Sequence, residues 1–148
     1  MNYLDIKLEA NDEKLYSLRD FKGNKVVLYF YPKDNTSGCT LESKSFTSLK
    51  KEYEEIGYTI IGCSRDSVKS HKNFIQKQEL DLLLLSDNEE KLVTAFDVLK
   101  EKSMYGKTYM GIVRSTFVLD ELGNIVKEYS KVKAKGHAEN LLEELKKA

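Results

Sequence analysis

The sequence of 148 residues contains no tryptophan, one proline and only two cysteines. The scarcity of proline excludes a proline-rich linker or spacer, and neither an internal repeat nor a low-complexity tract is visible. No segment approaches 18 consecutive apolar residues, so no membrane-spanning helix is expected. Residues Met1 to Asp5 lack a basic stretch leading into an apolar one, and the expected location is the cytoplasm. Neither sign of charge dominates: 24 Lys and Arg face 24 Asp and Glu. A chain with no net charge has no global field to draw nucleic acid or an anionic membrane. Two cysteines without a CxxC spacing point to no disulfide scaffold, and a chain of this length does not need one. Cys39, Cys63, His71 and His137 are too far apart in sequence to form the tight ligand pairs of a structural zinc site.

What remains is 41% hydrophobic and 32% charged residues, the composition of a globular protein. The expected organisation is one domain over residues 1–148. Residues 2–22 carry short alternating runs and read as an opening hairpin or strand and loop. Residues 25–31 are β-branched and aromatic and read as a strand buried on both faces. From Cys39 onward Phe46, Leu49, Tyr53 and Ile56 recur at helical spacing, with Gly57 as the stop. Residues 58–63 form a second buried strand. Asp66 or Ser67 caps a helix with Val68, His71, Phe74 and Ile75 on one side. Residues 82–85 are a third strand, and residues 88–96 a short helix. Residues 100–111 show no period and read as a loop. A hairpin of 115–119 with 125–129 follows, then an amphipathic helix with Leu141, Leu142 and Leu145 on one stripe. This order predicts an α/β thioredoxin-like fold, a central mixed sheet flanked by helices, parallel at the centre and antiparallel at one edge.

The chain is organised around residues 29–42. Pro32 stops the first strand, residues 33–38 carry turn and cap chemistry, and Cys39 falls in the first turn of the next helix. Free backbone N–H groups and the positive end of the helix dipole favour an anion there. An unperturbed thiol is only about 3% ionised at pH 7, and the dipole contributes roughly 0.3–1 kcal/mol toward the thiolate. A reactive thiolate at this place therefore needs a cation as well. A cysteine nucleophile can attack a carbonyl, a disulfide or a peroxide. Acyl transfer wants a histidine base, but no motif surrounds either histidine. His71 is expected to pack on the core with its polar edge toward water, and His137 to open the last helix. Dithiol exchange wants a second cysteine at position 42, which is Glu. Peroxide reduction fits best: it asks for a thiolate, donors that align the two oxygens, and a cation for the leaving oxygen.

The stretch Pro32-Lys33-Asp34-Asn35-Thr36-Ser37-Gly38-Cys39 resembles the peroxiredoxin signature of proline, three residues, threonine, two residues and cysteine. Residues 111–120, Gly-Ile-Val-Arg-Ser-Thr-Phe-Val-Leu-Asp, resemble that family's arginine-bearing strand. The similarity is to the bacterioferritin comigratory protein, or peroxiredoxin Q, subfamily. It runs on through Ser70-His71-Lys72-Asn73-Phe74, Tyr105-Gly106-Lys107 and Lys135-Gly136-His137-Ala138-Glu139, nearly the whole chain. The resemblance implies that Cys39 is the peroxidatic nucleophile and becomes a sulfenic acid. It implies that Arg114 is the missing cation and that Thr36 hydrogen-bonds thiolate and peroxide. Pro32 would shield the thiolate, the Gly38 and Cys39 backbone N–H groups would hold oxygen, and Glu42 would orient Arg114.

Two positions depart from the pattern. Ser37 stands where the subfamily more often has proline, and Lys44 stands where an internal resolving cysteine often lies. Cys63 is the only other thiol. It reads as a buried strand residue, with a resolving role left open. The expectation is a thiol peroxidase that needs no metal or organic cofactor, reduces hydrogen peroxide and organic hydroperoxides, and is recycled by thioredoxin or a low-molecular-weight thiol. A monomer is expected, since no apolar helix or edge stands out. A glutathione peroxidase-like site is disfavoured by the missing tryptophan. The alternative of another class is a thioredoxin-fold redox sensor or binding module without multiple turnover.

Overall fold

The computed structural model describes residues 2–147. A 3-10 turn at Tyr3–Asp5 leads into a minimal antiparallel hairpin, β1 (Leu8–Glu9) with β2 (Leu15–Tyr16). A second 3-10 turn delivers the chain to β3 (Lys25–Phe30), followed by the long helix α1 (Ser37–Glu55). Then come β4 (Tyr58–Ser64), α2 (Val68–Gln78), β5 (Leu83–Ser86) and the short α3 (Lys91–Ala95). The last part contains β6 (Leu99–Met104), β7 (Lys107–Ile112), β8 (Ser115–Leu119), β9 (Ile125–Tyr129) and α4 (His137–Lys147).

Five strands form the central sheet in the order β5-β4-β3-β8-β9. β3, β4 and β5 are parallel, because α1 and α2 return the chain to the same end of the sheet. β8 and β9 are antiparallel additions on the far side of β3. Strand alternation divides the core in two. Val27, Tyr29 and Tyr31 point to the face covered by α1, α2 and α4, where Cys39, Phe46, Tyr53, Phe74, Leu141, Leu142 and Leu145 meet them. Leu28, Phe30, Ile61 and Cys63 point to the other face, against Leu4, Ile6, Leu18, Leu92, Val93 and Phe96.

The expected elements form; two local expectations are corrected, and one left open between two residues is decided. Residues 100–111 are not a loop: β6 and β7 pair in register from Leu99↔Ile112 to Met104↔Lys107. Tyr105 (φ 52°) and Gly106 (φ 77°) make the two-residue turn. Both faces of most of this ribbon lie in solvent, so its sequence carries no apolar alternation. Second, of the two capping residues expected for α2, Ser67 is the cap, accepting from the Ser70 N–H. Third, His71 does not turn an edge to water; it is fully buried, between a carboxylate and a backbone carbonyl.

Candidate active site

Cys39 lies in the first turn of α1, at the carboxyl end of β3, and its side chain has no solvent exposure. The buried face of α1 is the stripe Cys39, Glu42, Ser43, Phe46 and Tyr53, so Cys39 and Glu42 project from the same side of the helix three residues apart. Arg114 meets both. It stands on the link between β7 and β8, where its carbonyl accepts from Val132 N–H (2.9 Å). Its Nη2 donates to Cys39 Sγ (3.2 Å) and its Nη1 to Glu42 Oε1 (2.7 Å). One planar guanidinium thus bridges a sulfur and a carboxylate. Gly38 makes room for it, since a Cβ at that position would come within 3.1 Å of Arg114 Nη2.

Glu42 is buried completely, and its second oxygen, Oε2, has no hydrogen-bond partner among the described residues. Burial lifts its pKa to about 7 against the opposing pull of Arg114. Burial also works against the charge of Arg114, but Glu42 and Cys39 beside it outweigh that and raise its pKa. Beneath Glu42, Tyr29 and Ser43 share a buried hydroxyl contact at 2.8 Å that ties β3 to α1.

The loop from β3 to α1 carries the other expected residues. Pro32 is half-buried two residues past the end of β3, and Thr36 is the N-cap residue of α1. The Thr36 side chain makes no cap bond; its hydroxyl donates to the Lys33 carbonyl (2.8 Å). Its single proton is therefore committed, and only its lone pairs remain for a ligand. The first-turn N–H groups of Gly38 and Cys39 have no acceptor inside the helix.

Cys63 is placed elsewhere. It sits on β4 in register with Phe30 of β3, and points to the opposite face of the sheet from Cys39. It is free and fully buried, and burial pushes its pKa well above the ordinary thiol value. His137 opens α4, as expected, and pairs with Thr116 Oγ1 (2.9 Å).

A cation on β6 escaped sequence reasoning. Lys102 Nζ donates to the Ile112 carbonyl (2.6 Å), two residues before Arg114. Burial lowers its pKa, helped by Arg114 and Arg65, and Cys39 opposes the shift. Recognising the Tyr105-Gly106 turn was the available signal. A surface cavity of about 570 Å³ lies between residues 7–9 and the start of α2 and includes none of these side chains. Among the described residues, no three His, Cys, Asp or Glu side chains gather to hold a metal ion.

The family model described as AhpC/TSA matches residues 2–128, a span that contains the whole Cys39–Arg114 constellation. The chain belongs to the AhpC/TSA family. Peroxiredoxin Bcp of Xanthomonas campestris pv. campestris is 49% identical to this peroxiredoxin over 142 residues, covering 96% of this chain and 89% of the relative. Peroxiredoxin Bcp of Bacillus subtilis is 46% identical, covering 96% and 90%. A solved structure of the Xanthomonas campestris bacterioferritin comigratory protein, studied for its alkyl peroxide reduction, has a TM-score of 0.93 at 47% identity and covers 98% and 92% of the two chains. A mutant of Xylella fastidiosa PrxQ gives 0.94 at 43% identity, covering 99% and 92%. The expected thioredoxin-like peroxiredoxin fold is the fold found, and the chain is a thiol peroxidase of the Bcp/PrxQ type.

Proposed function

We propose that Cys39 is the peroxidatic nucleophile of this enzyme and that hydrogen peroxide and alkyl hydroperoxides are its substrates. The observation that carries this reading is the 3.2 Å contact of Arg114 Nη2 with Cys39 Sγ at a helix N-terminus. The thiolate attacks the terminal peroxide oxygen, the S–O bond forms and the O–O bond breaks. The leaving oxygen departs with the electron pair and takes a proton to become water or an alcohol, and Cys39 is left as sulfenic acid. Arg114 faces the sulfur where negative charge moves from it to the leaving oxygen. Thr36, its own proton held by the Lys33 carbonyl, accepts from the peroxide O–H. The Gly38 and Cys39 N–H groups donate to oxygen, Pro32 keeps water from the sulfur, and Glu42 orients Arg114.

Recycling is by an external thiol. It attacks the sulfenic sulfur and expels water, and a second thiol reduces the mixed disulfide. Thioredoxin or a low-molecular-weight thiol fills that role in the cytoplasm. A monomer is the proposed working unit, and Pro32, Thr36, Cys39, Glu42 and Arg114 need no residue of a second copy beside them.

The test is steady-state peroxide consumption with dithiothreitol, and separately with a thioredoxin system. Wild type is expected to turn over many equivalents, Cys39→Ser none, and Arg114→Lys to lose about 10²–10³ in kcat/KM for peroxide, the cost of removing one preorganised donor. Stalling of the wild type after one equivalent in the presence of either reductant would sink the reading.

A further inference from the structure

A second polar cluster holds the loop that carries Thr36, and the proposed reaction makes no direct use of it. Asp34 lies on that loop with its carboxylate almost fully buried. Oδ1 accepts from the Tyr31 hydroxyl (2.6 Å), and Oδ2 accepts from Ser70 Oγ (2.8 Å) and His71 Nδ1 (2.7 Å). The Asp34 backbone N–H donates to Asp66 Oδ2 (2.9 Å), which also accepts from Ser64 Oγ (2.6 Å). The remaining ring nitrogen of His71, Nε2, faces the Leu85 carbonyl of β5 at 2.9 Å.

A carbonyl has no proton to give, and an ionised carboxylate only accepts. Nε2 therefore carries a proton for the Leu85 carbonyl, and one further proton lies between Nδ1 and the Asp34 carboxyl. The side chains of His71 and Asp34 are 0% and 1% exposed, so the contact is removed from water. Removing one partner leaves buried polar atoms of the other without a hydrogen bond, which makes the anchor hard to release.

The loop transmits this anchoring to the reaction site. Lys33, next to Asp34, provides the carbonyl that takes the Thr36 proton. Asn35, on the other side, has φ 62°, a backbone conformation that needs support from its surroundings. The geometry points to His71 as a positioning residue for peroxide: through Asp34 it fixes the turn from Pro32 to Thr36 on α2 and β5, so that Thr36 presents its lone pairs to the substrate. The inference rests on the thiol peroxidase reading above and adds the support on which Thr36 depends. His71 acts through Asp34, whereas the sulfur itself answers to Arg114.

The test compares His71→Gln, Asp34→Asn, the double variant and Ser70→Ala with the wild type. Peroxide kinetics are read beside alkylation of Cys39 by iodoacetamide, located by mass spectrometry, which needs the sulfur but not the Thr36 contact. His71→Gln and Asp34→Asn are each expected to raise KM for peroxide about tenfold, with kcat, set by the recycling thiol, and the alkylation rate within about twofold of wild type. The double variant is expected to be no worse than the worse single one, because the two residues act as one unit. Ser70→Ala removes one donor, leaves the His71–Asp34 contact in place, and moves KM the same way by a smaller factor. A wild-type KM in all three single variants overturns the inference, as does a parallel loss of alkylation, which would mark a general collapse of the site. A wild type that consumes no peroxide would instead overturn the functional reading.

Discussion

Arg114 sends its two terminal nitrogens to different acceptors, Nη1 to Glu42 and Nη2 to Cys39. A lysine could reach either but not both, because its single ammonium lacks the planar fork. Glu42 is the unusual member of the trio: a buried carboxyl with one oxygen on Arg114 and the other without a partner. Its pKa stands at about 7 in the folded protein against an ordinary 4.5, burial being the cause. Folding therefore takes up a proton at this residue between those pH values. The stability so contributed is complete below about pH 4.5 and is lost as pH rises through about 7. Relative to Glu42→Gln, which does not titrate, the unfolding free energy of the wild type is expected to fall by about 3 kcal/mol from pH 4.5 to pH 8. Urea denaturation of both proteins across that range checks it; parallel stability curves would show that Glu42 is ionised throughout.

Among the elements, α1 ties the site into the core. Its buried stripe begins with Cys39, the proposed nucleophile, and continues into Phe46 and Tyr53, whose hydroxyl donates to the Ala138 carbonyl of α4 (2.6 Å). The Tyr29–Ser43 contact fastens the helix to β3 one residue beyond Glu42. Gly62 on β4 leaves the room that Tyr29 needs, since a Cβ there would lie 2.7 Å from Leu84 Cδ2 and 2.8 Å from Tyr29 Cζ. Both neighbours are fully buried and have nowhere to move. Gly62→Ala is expected to destabilise the fold by about 1–3 kcal/mol through overpacking, measured by denaturant unfolding. A variant as stable as wild type would show that the Tyr29 ring is free to shift. The helix start, its stripe and the central strands were readable from residue type and spacing. The β6–β7 ribbon was not, because a strand pair solvated on both sides has no hydrophobic face to imprint a period of two.

The sheet as a whole separates the two cysteines. Cys39 belongs to the core under α1, α2 and α4, and Cys63 to the core under the N-terminal segment and α3. A disulfide requires the two Cα atoms within about 7 Å and Cβ vectors that converge. Thiols on opposite faces of one sheet do not meet that requirement without unfolding of the strands between them. Treating the wild type with one equivalent of hydrogen peroxide and no reductant is expected to add one oxygen, located at Cys39 by intact and peptide mass. Cys63→Ala should behave the same way. Loss of two hydrogens in the wild type, absent from Cys63→Ala, would show that the sheet opens and that Cys63 resolves the sulfenic acid.

The sequence by itself determined the fold class and singled out the proposed nucleophile and cation, because these depend on local signals: a strand, a turn with cap residues, a cysteine at a helix start, an arginine at a strand entry. Tertiary structure decided three further matters. It showed which face of the sheet Cys63 occupies, since a run buried on both sides, such as Ile60-Ile61-Gly62-Cys63, carries no alternation to indicate one. It showed that the Thr36 proton goes to Lys33 and not to the sulfur. And it brought His71, 37 residues from Asp34 in sequence, to the loop beside Cys39. Hydrogen-bond partners distant in sequence leave no periodicity behind, and only the packing of α2 and β5 against that loop makes them neighbours.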